Sequence, residues 1–266
     1  MGSRWTTPSV LLAVSGWSSG SPSPASPWPV YAALPVAGLI LIGGQLLAGL
    51  LFPHLTGIDV TTLPVFKPGG SPISQLDEKS SRGLALLLLM SQVIIVGLTL
   101  LTALHGGLCA VLRLEAPANG WLSCVTGLLG MVPILAVLNL ITYAVAPDQV
   151  AGDFFLYQSL ARSTAIVPVG LAIGLGAPLS EELMFRGFLL SSLAATRLGF
   201  WPAAALTSFG WTLLHIDYSI VGLAEVFVIG IYFSWLLQRT GSVWPLLFCH
   251  AVYNSCLLMV LRFWPT

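Results

Sequence analysis

Charge is what this sequence has least of. Asp, Glu, Lys and Arg together make up 8% of its 266 residues, against about 25% in an ordinary soluble domain. Ten basic and ten acidic residues cancel, so the chain has no net field to draw in nucleic acid or an acidic partner, and a nucleic-acid partner is excluded. The four cysteines, Cys109, Cys124, Cys249 and Cys256, show no CxxC spacing; they read as small hydrophobes rather than as a disulfide framework or redox pair. No HExxH run is present, which removes the helix-borne motif of zinc proteases. Residues 1–29 are rich in Ser, Pro, Gly and Trp and read as a flexible tail. Their one apolar stretch, Val10 to Val14, is shorter than a secretory core of about 7 to 15 residues, so no cleaved signal is expected. Gly16-Trp17-Ser18-Ser19-Gly20 matches GxSxG, but a nucleophile elbow needs a strand before it and a helix after it. The match reads as chance.

Hydrophobic length is what the chain has most of. It is 56% hydrophobic, with a mean hydropathy of +0.91. Apolar stretches run from Val30 to Phe52, Gly83 to Leu104, Trp121 to Val145, Thr164 to Leu193, Phe200 to Ile216, Ile220 to Leu237 and Trp244 to Phe263. Several match the roughly 20 residues that a helix needs to cross a bilayer. The pattern predicts an all-α, polytopic integral membrane protein with about seven transmembrane helices enclosing a polar cavity in its C-terminal half. The domain division that follows is a tail over 1–29, N-terminal transmembrane helices and loops over 30–160, and a C-terminal transmembrane core over 161–266. The longest polar connection, His54 to Arg82, contains Pro64, Pro68, Gly69, Gly70 and Pro72 and reads as a surface loop.

The fourth stretch is too long for a plain span. Gly170, Gly174 and Gly176 precede Pro178, which predicts a bend with a fresh helical stretch starting at Pro178 or Ser180. The Gly170-x-x-x-Gly174 spacing suits close helix packing. Seven spans would put Arg4, Arg113, Arg197 and Arg239 on one side and Lys67, Lys79, Arg82, Arg162 and Arg262 on the other. That split assigns no orientation by the positive-inside rule.

Against this background Glu181, Glu182 and Arg186 stand out. An ionisable group near the middle of a bilayer costs roughly 2.5 to 3.5 kcal/mol on insertion scales. Positions four apart share a helix face, so Glu182 reaches Arg186 and the two neutralise one another as structural support. Glu181, turned about 100° away, is the carboxylate left over. His215 and His250 also lie in apolar stretches, and the spacing of four aligns Trp211 with His215 and His250 with Asn254. Glu181, His215, His250 and Asn254 are the groups an amide hydrolysis needs: a base for water, a proton carrier, and donors for the oxyanion. The same side chains admit a second reading, zinc held by His215, His250 and Glu181 with a position open for water. A third is a proton relay in a transporter, and a fourth is a catalytically silent membrane scaffold. Glu225, within the sixth stretch, belongs to none of these sets.

In order, Glu181-Glu182-x-x-x-Arg186, Trp211-x-x-x-His215 and His250-x-x-x-Asn254 resemble the motifs of the CAAX protease and bacteriocin-processing (Abi) family of intramembrane glutamate-type endopeptidases. The turn Arg239-Thr240-Gly241-Ser242-Val243-Trp244-Pro245 resembles the one before that family's last motif, and the likeness covers roughly residues 165 to 258. Trp211 stands where the family usually has Phe, which puts pocket shape in question. The resemblance implies that Glu181, assisted by His215, activates water, that His250 and Asn254 stabilise the oxyanion, and that Glu182, Arg186 and Trp211 hold the site. It implies a membrane-associated protein or peptide substrate, prenylated or bacteriocin-like, met in the lipid bilayer. A metal-free mechanism is the reading adopted here, with zinc as the alternative. The low-complexity start and small size point to a bacterial plasma membrane.

Overall fold

The computed structural model describes residues 28–63 and 76–264. The tail with its GxSxG run, Lys67 and the Pro64 to Pro72 part of the long connection lie outside the described residues. The described residues form helices α1 (Val30–Thr56), α2 (Glu78–Ala103), α3 (Leu108–Leu112), α4 (Leu122–Val145), α5 (Pro147–Arg162), α6 (Ile166–Ala194), α7 (Phe200–Thr212), α8 (Ile220–Thr240) and α9 (Trp244–Phe263). No strand occurs among them.

Six of these helices are long and apolar enough to cross a membrane: those containing α1, α2, α4, α6, α8 and α9. The sequence suggested about seven. The difference is α7, which has 13 residues and so extends roughly 20 Å, short of a hydrocarbon core of about 30 Å. A 3-10 turn, Leu213–His215, completes it. Large apolar side chains such as Leu39, Ile42, Leu46 and Leu50 of α1 stand exposed. On a soluble protein this face would be an aggregation site; on a polytopic membrane protein it is the surface that lipid covers.

Local chemistry sets several helix ends. Asp77 caps α2 by accepting from the Ser80 amide at 2.6 Å, and Ser219 caps α8 by accepting from Gly222 N at 3.1 Å. Gly241 closes α8 with φ at 68°, a left-handed geometry that favours glycine. The turn after it is pinned to the α3–α4 connection: Val243 N donates to Arg113 O at 2.9 Å, Ser242 Oγ to Glu115 O at 2.7 Å, and Trp244 Nε1 to Leu114 O at 2.8 Å. At the far end of α9, Arg262 Nη1 donates to Ala161 O at 2.6 Å. Both ends of α9 are therefore fixed, and with them the level of His250 and Asn254.

The expected restart at Pro178 takes another form. The helix continues through the proline, and its flanks, Gly170–Gly176 and Glu182–Leu190, wind as π-helix. Proline has no N–H to give and its ring crowds the carbonyl four residues back; the wider i to i+5 ring absorbs both defects, and such turns gather at functional sites. Of the two spaced glycines only Gly174 is closely packed: a Cβ there would lie 2.8 Å from Ser255 Oγ of α9, whereas Gly170 has nothing within 4 Å. On the opposite side, Gly187 lets α6 approach α3, since a Cβ would sit 3.2 Å from the Leu112 backbone. The interior around this contact is apolar, with Leu112, Phe185, Phe188, Leu190, Phe233 and Leu237 almost fully buried.

Candidate functional site

The second π-helical stretch starts at Glu182, next to Glu181. Glu182 and Arg186 are fully buried and joined, Nη1 donating to Oε1 at 3.2 Å. The same Oε1 accepts from His250 Nδ1 at 2.8 Å, so this carboxylate ties α6 to α9 as well as to its own helix. The guanidinium lies 4.3 Å from the centroid of the Trp211 ring and 5.7 Å from that of Phe233, where a ring face attracts a desolvated cation. Gly230 of α8 makes room for it. A Cβ at this position would lie 2.9 Å from Ser208 Cβ and 3.1 Å from Arg186 Nη2. Gly230→Ala is expected to cost about 1 to 3 kcal/mol, the usual penalty for overpacking, read as a lower unfolding temperature of the detergent-solubilised protein.

Glu181, partly buried, faces elsewhere. Its Oε2 accepts from Trp211 Nε1 at 2.5 Å. Trp211 thus bridges the two carboxylates, donating to one and stacking on the partner of the other. Sequence reasoning gave this residue only a packing role. Its ring also meets His215 edge-on at 5.4 Å and His250 at 5.6 Å. His215 Nδ1 donates to Trp211 O at 3.3 Å, which leaves the lone pair of a neutral ring on Nε2. Asn254 Nδ2 donates to Ile173 O at 2.9 Å, using one of its two amide hydrogens.

Glu181, Trp211, His215, His250 and Asn254 all line one cavity of about 330 Å³. The motif residues of α6, α7 and α9 are brought together there, while Glu182 and Arg186 lie behind the wall. The chain before residue 161 supplies much of the remaining lining, including Gln45 of α1, Gln92 of α2, Asn139 and Thr142 of α4, and Asp153 and Tyr157 of α5. Sequence reasoning named none of these. Gln45, Gln92 and Asn139 carried a usable signal, a polar amide inside an apolar stretch; Asp153 and Tyr157 sit in a mixed segment where nothing marks them. Asp153 anchors the start of α8, its Oδ1 accepting from Ser219 N and its Oδ2 from Ser219 Oγ, each at 2.7 Å. Tyr218 packs 5.3 Å from His215 and 6.2 Å from Tyr157, ring to ring. Burial pushes the Tyr157 and Tyr218 phenols above their ordinary range, so both remain protonated donors at neutral pH. Glu225, unassigned from sequence, also lines the cavity and accepts a hydrogen bond from Thr142 Oγ1.

Among the described residues no three His, Cys, Asp or Glu side chains come together as a metal-ligand set. Nδ1 of each candidate histidine is held by a protein oxygen, and one oxygen of Glu181 is held by Trp211. A histidine that binds a metal through Nε2 is held at Nδ1 in the same way.

Residues 163–256 match the model of a family described as type II CAAX prenyl endopeptidase Rce1-like. Neither a curated protein nor a solved structure matches the chain.

Proposed function

We propose that this chain, whose residues 163–256 match the model of the Rce1-like type II CAAX prenyl endopeptidase family, hydrolyses a peptide bond of a membrane-associated polypeptide by a glutamate-activated water. The observation that carries this reading is the convergence of Glu181, His215, His250 and Asn254, from three separate helices, on one cavity within an apolar bundle.

Water bound between Glu181 Oε1 and His215 Nε2 loses a proton to this pair as its oxygen attacks the scissile carbonyl carbon. Trp211 Nε1 keeps Glu181 Oε2 occupied, which directs Oε1 to the water. The carbonyl becomes an oxyanion, met by the second amide hydrogen of Asn254 and by His250 Nε2. The bond from its Nδ1 to Glu182 holds the His250 ring for this role. Collapse of the tetrahedral species breaks the C–N bond. The proton held by Glu181 and His215 passes to the leaving amine, the hydroxyl proton of the new acid follows it, and a carboxylate and an ammonium depart.

The substrate fits as a prenylated or otherwise membrane-held segment, because the walls around the polar groups are apolar and the outer surface is bilayer-facing. Clustering of the polar groups supports hydrolysis over conduction: a proton path would distribute them along a route across the bilayer. A silent scaffold would not need to retain both the water-activating pair and the oxyanion donors.

Trp211→Phe removes the indole donor while keeping a large aromatic, and is expected to lower kcat by about tenfold with an intact fold, the scale of one lost hydrogen bond to a charged group. Kinetics of reconstituted protein, with unfolding temperature as the control, read it. The proposed activity itself is tested by incubating reconstituted protein with prenylated and membrane-derived peptides, with and without chelator. Cleavage insensitive to chelator is expected. Proton flux without cleavage from folded protein would contradict it.

A further inference from the structure

Glu225 is the carboxylate that the hydrolytic account leaves unused. It lies in the first half of α8, a helix with no other charged residue until Arg239, and it lines the same cavity as Glu181. A charge in such a span is costly and marks function by default. Its one hydrogen bond comes from the Thr142 hydroxyl of α4, a bond that a neutral glutamine would accept equally well. One turn before Thr142, Asn139 lines the cavity too and stands exposed, so this branch of the cavity opens beside α4.

The surrounding charges decide what the branch accepts. Asp153, Glu181 and Glu225 line the cavity, and no lysine or arginine does. Asp153 is committed with both oxygens to Ser219, and Glu181 to the indole of Trp211. Arg186 is fully buried against Glu182, behind Trp211. A substrate carboxylate entering here would find like charges and no cation, whereas a basic side chain would find an oxygen of Glu225 and the amide oxygen of Asn139.

We infer that Glu225, Thr142 and Asn139 form a subsite for a lysine or arginine side chain of the polypeptide that enters the cavity. The identity of the occupant as a polypeptide rests on the endopeptidase reading above. Glu225 is eight residues from Phe233, whose ring packs 5.4 Å from that of His250. Eight helical residues extend about 12 Å, the reach of three or four residues of extended chain. One substrate therefore spans both places, and selectivity at the Glu225 branch is separate from the chemistry at Glu181.

The test is binding. Glu181→Gln protein in zwitterionic lipid nanodiscs is titrated with three fluorescent, C-terminally amidated apolar peptides that differ at one central position: lysine, norleucine or glutamate. The lysine peptide is expected to bind about tenfold more tightly than the norleucine peptide, and the glutamate peptide about tenfold more weakly. Adding Glu225→Gln should bring all three within about twofold of each other, at an unchanged unfolding temperature. Thr142→Val, which frees the carboxylate from its support, should reduce the discrimination severalfold and provides the comparison if Glu225→Gln does not assemble. Equal binding of the three peptides, or discrimination that survives both substitutions, overturns the subsite. Cleavage of these peptides by protein with Glu181 intact is scored separately. Cleavage without charge discrimination removes the subsite and leaves the endopeptidase reading standing; discrimination without cleavage of any peptide does the reverse.

Discussion

Arg186→Met is expected to destabilise the protein by about 3 to 5 kcal/mol, the scale of a buried ion pair that loses one partner. The size of the effect follows from burial. Glu182 has no exposure, and its Oε1 is shared between Arg186 at 3.2 Å and His250 at 2.8 Å. Methionine fills much of the arginine stem's volume but takes the guanidinium away from the carboxylate in a low-dielectric interior, leaving it the single bond from His250. The aromatic cradle of Trp211 and Phe233 loses its cation at the same time. Glu182→Gln combined with Arg186→Met removes both charges and keeps a carbonyl oxygen for His250; most of the stability should return. Activity should not, because a neutral amide then replaces the carboxylate that holds His250 Nδ1. Denaturant titration in mixed micelles reads the first quantity and peptide cleavage the second. A single Arg186→Met variant as stable as the parent would show that the cluster does not hold the helices together.

Glu181→Gln and His215→Ala are each expected to lower kcat/KM by about 10³, within the range contributed by a positioned general base. Both residues handle the same proton, so the double variant should be little worse than either single one. Such non-additivity is the signature of groups that act as a unit. Stability should change little. Glu181 is only partly buried and its glutamine replacement still accepts from Trp211, while His215 contributes one bond, to a backbone carbonyl. Additive losses would mean that the two residues serve different steps.

How much of this could be read in the sequence depends on the kind of signal each part leaves. Long apolar runs bounded by polar connections gave the all-α membrane fold directly, because the bilayer enforces a minimum length that ordinary helices do not need. The exception was Phe200 to Ile216, where a hydrophobic run just under one span proved to be a 13-residue helix and a turn; hydropathy alone does not record where the helix stops. The pairing of Glu182 with Arg186 follows from helical spacing. That His250 joins the same carboxylate does not, since it depends on how α9 is set against α6. The continuation of the helix through Pro178 was not legible either, because π winding leaves no simple periodic mark. Trp211 was visible as an aromatic one turn before His215, but its hydrogen bond to Glu181 crosses between α7 and α6. Twelve of the thirty residues lining the cavity come from α1, α2, α4 and α5, whose isolated polar residues gain meaning only when the bundle brings them to one space.

The most direct test of the central claim is mass spectrometry of peptide products formed in ¹⁸O-labelled water by wild-type protein and by Glu181→Gln in identical nanodiscs. The account predicts one ¹⁸O atom in the new C-terminal carboxylate from wild type and almost no product from the variant. Cleavage by Glu181→Gln at the wild-type rate would contradict it.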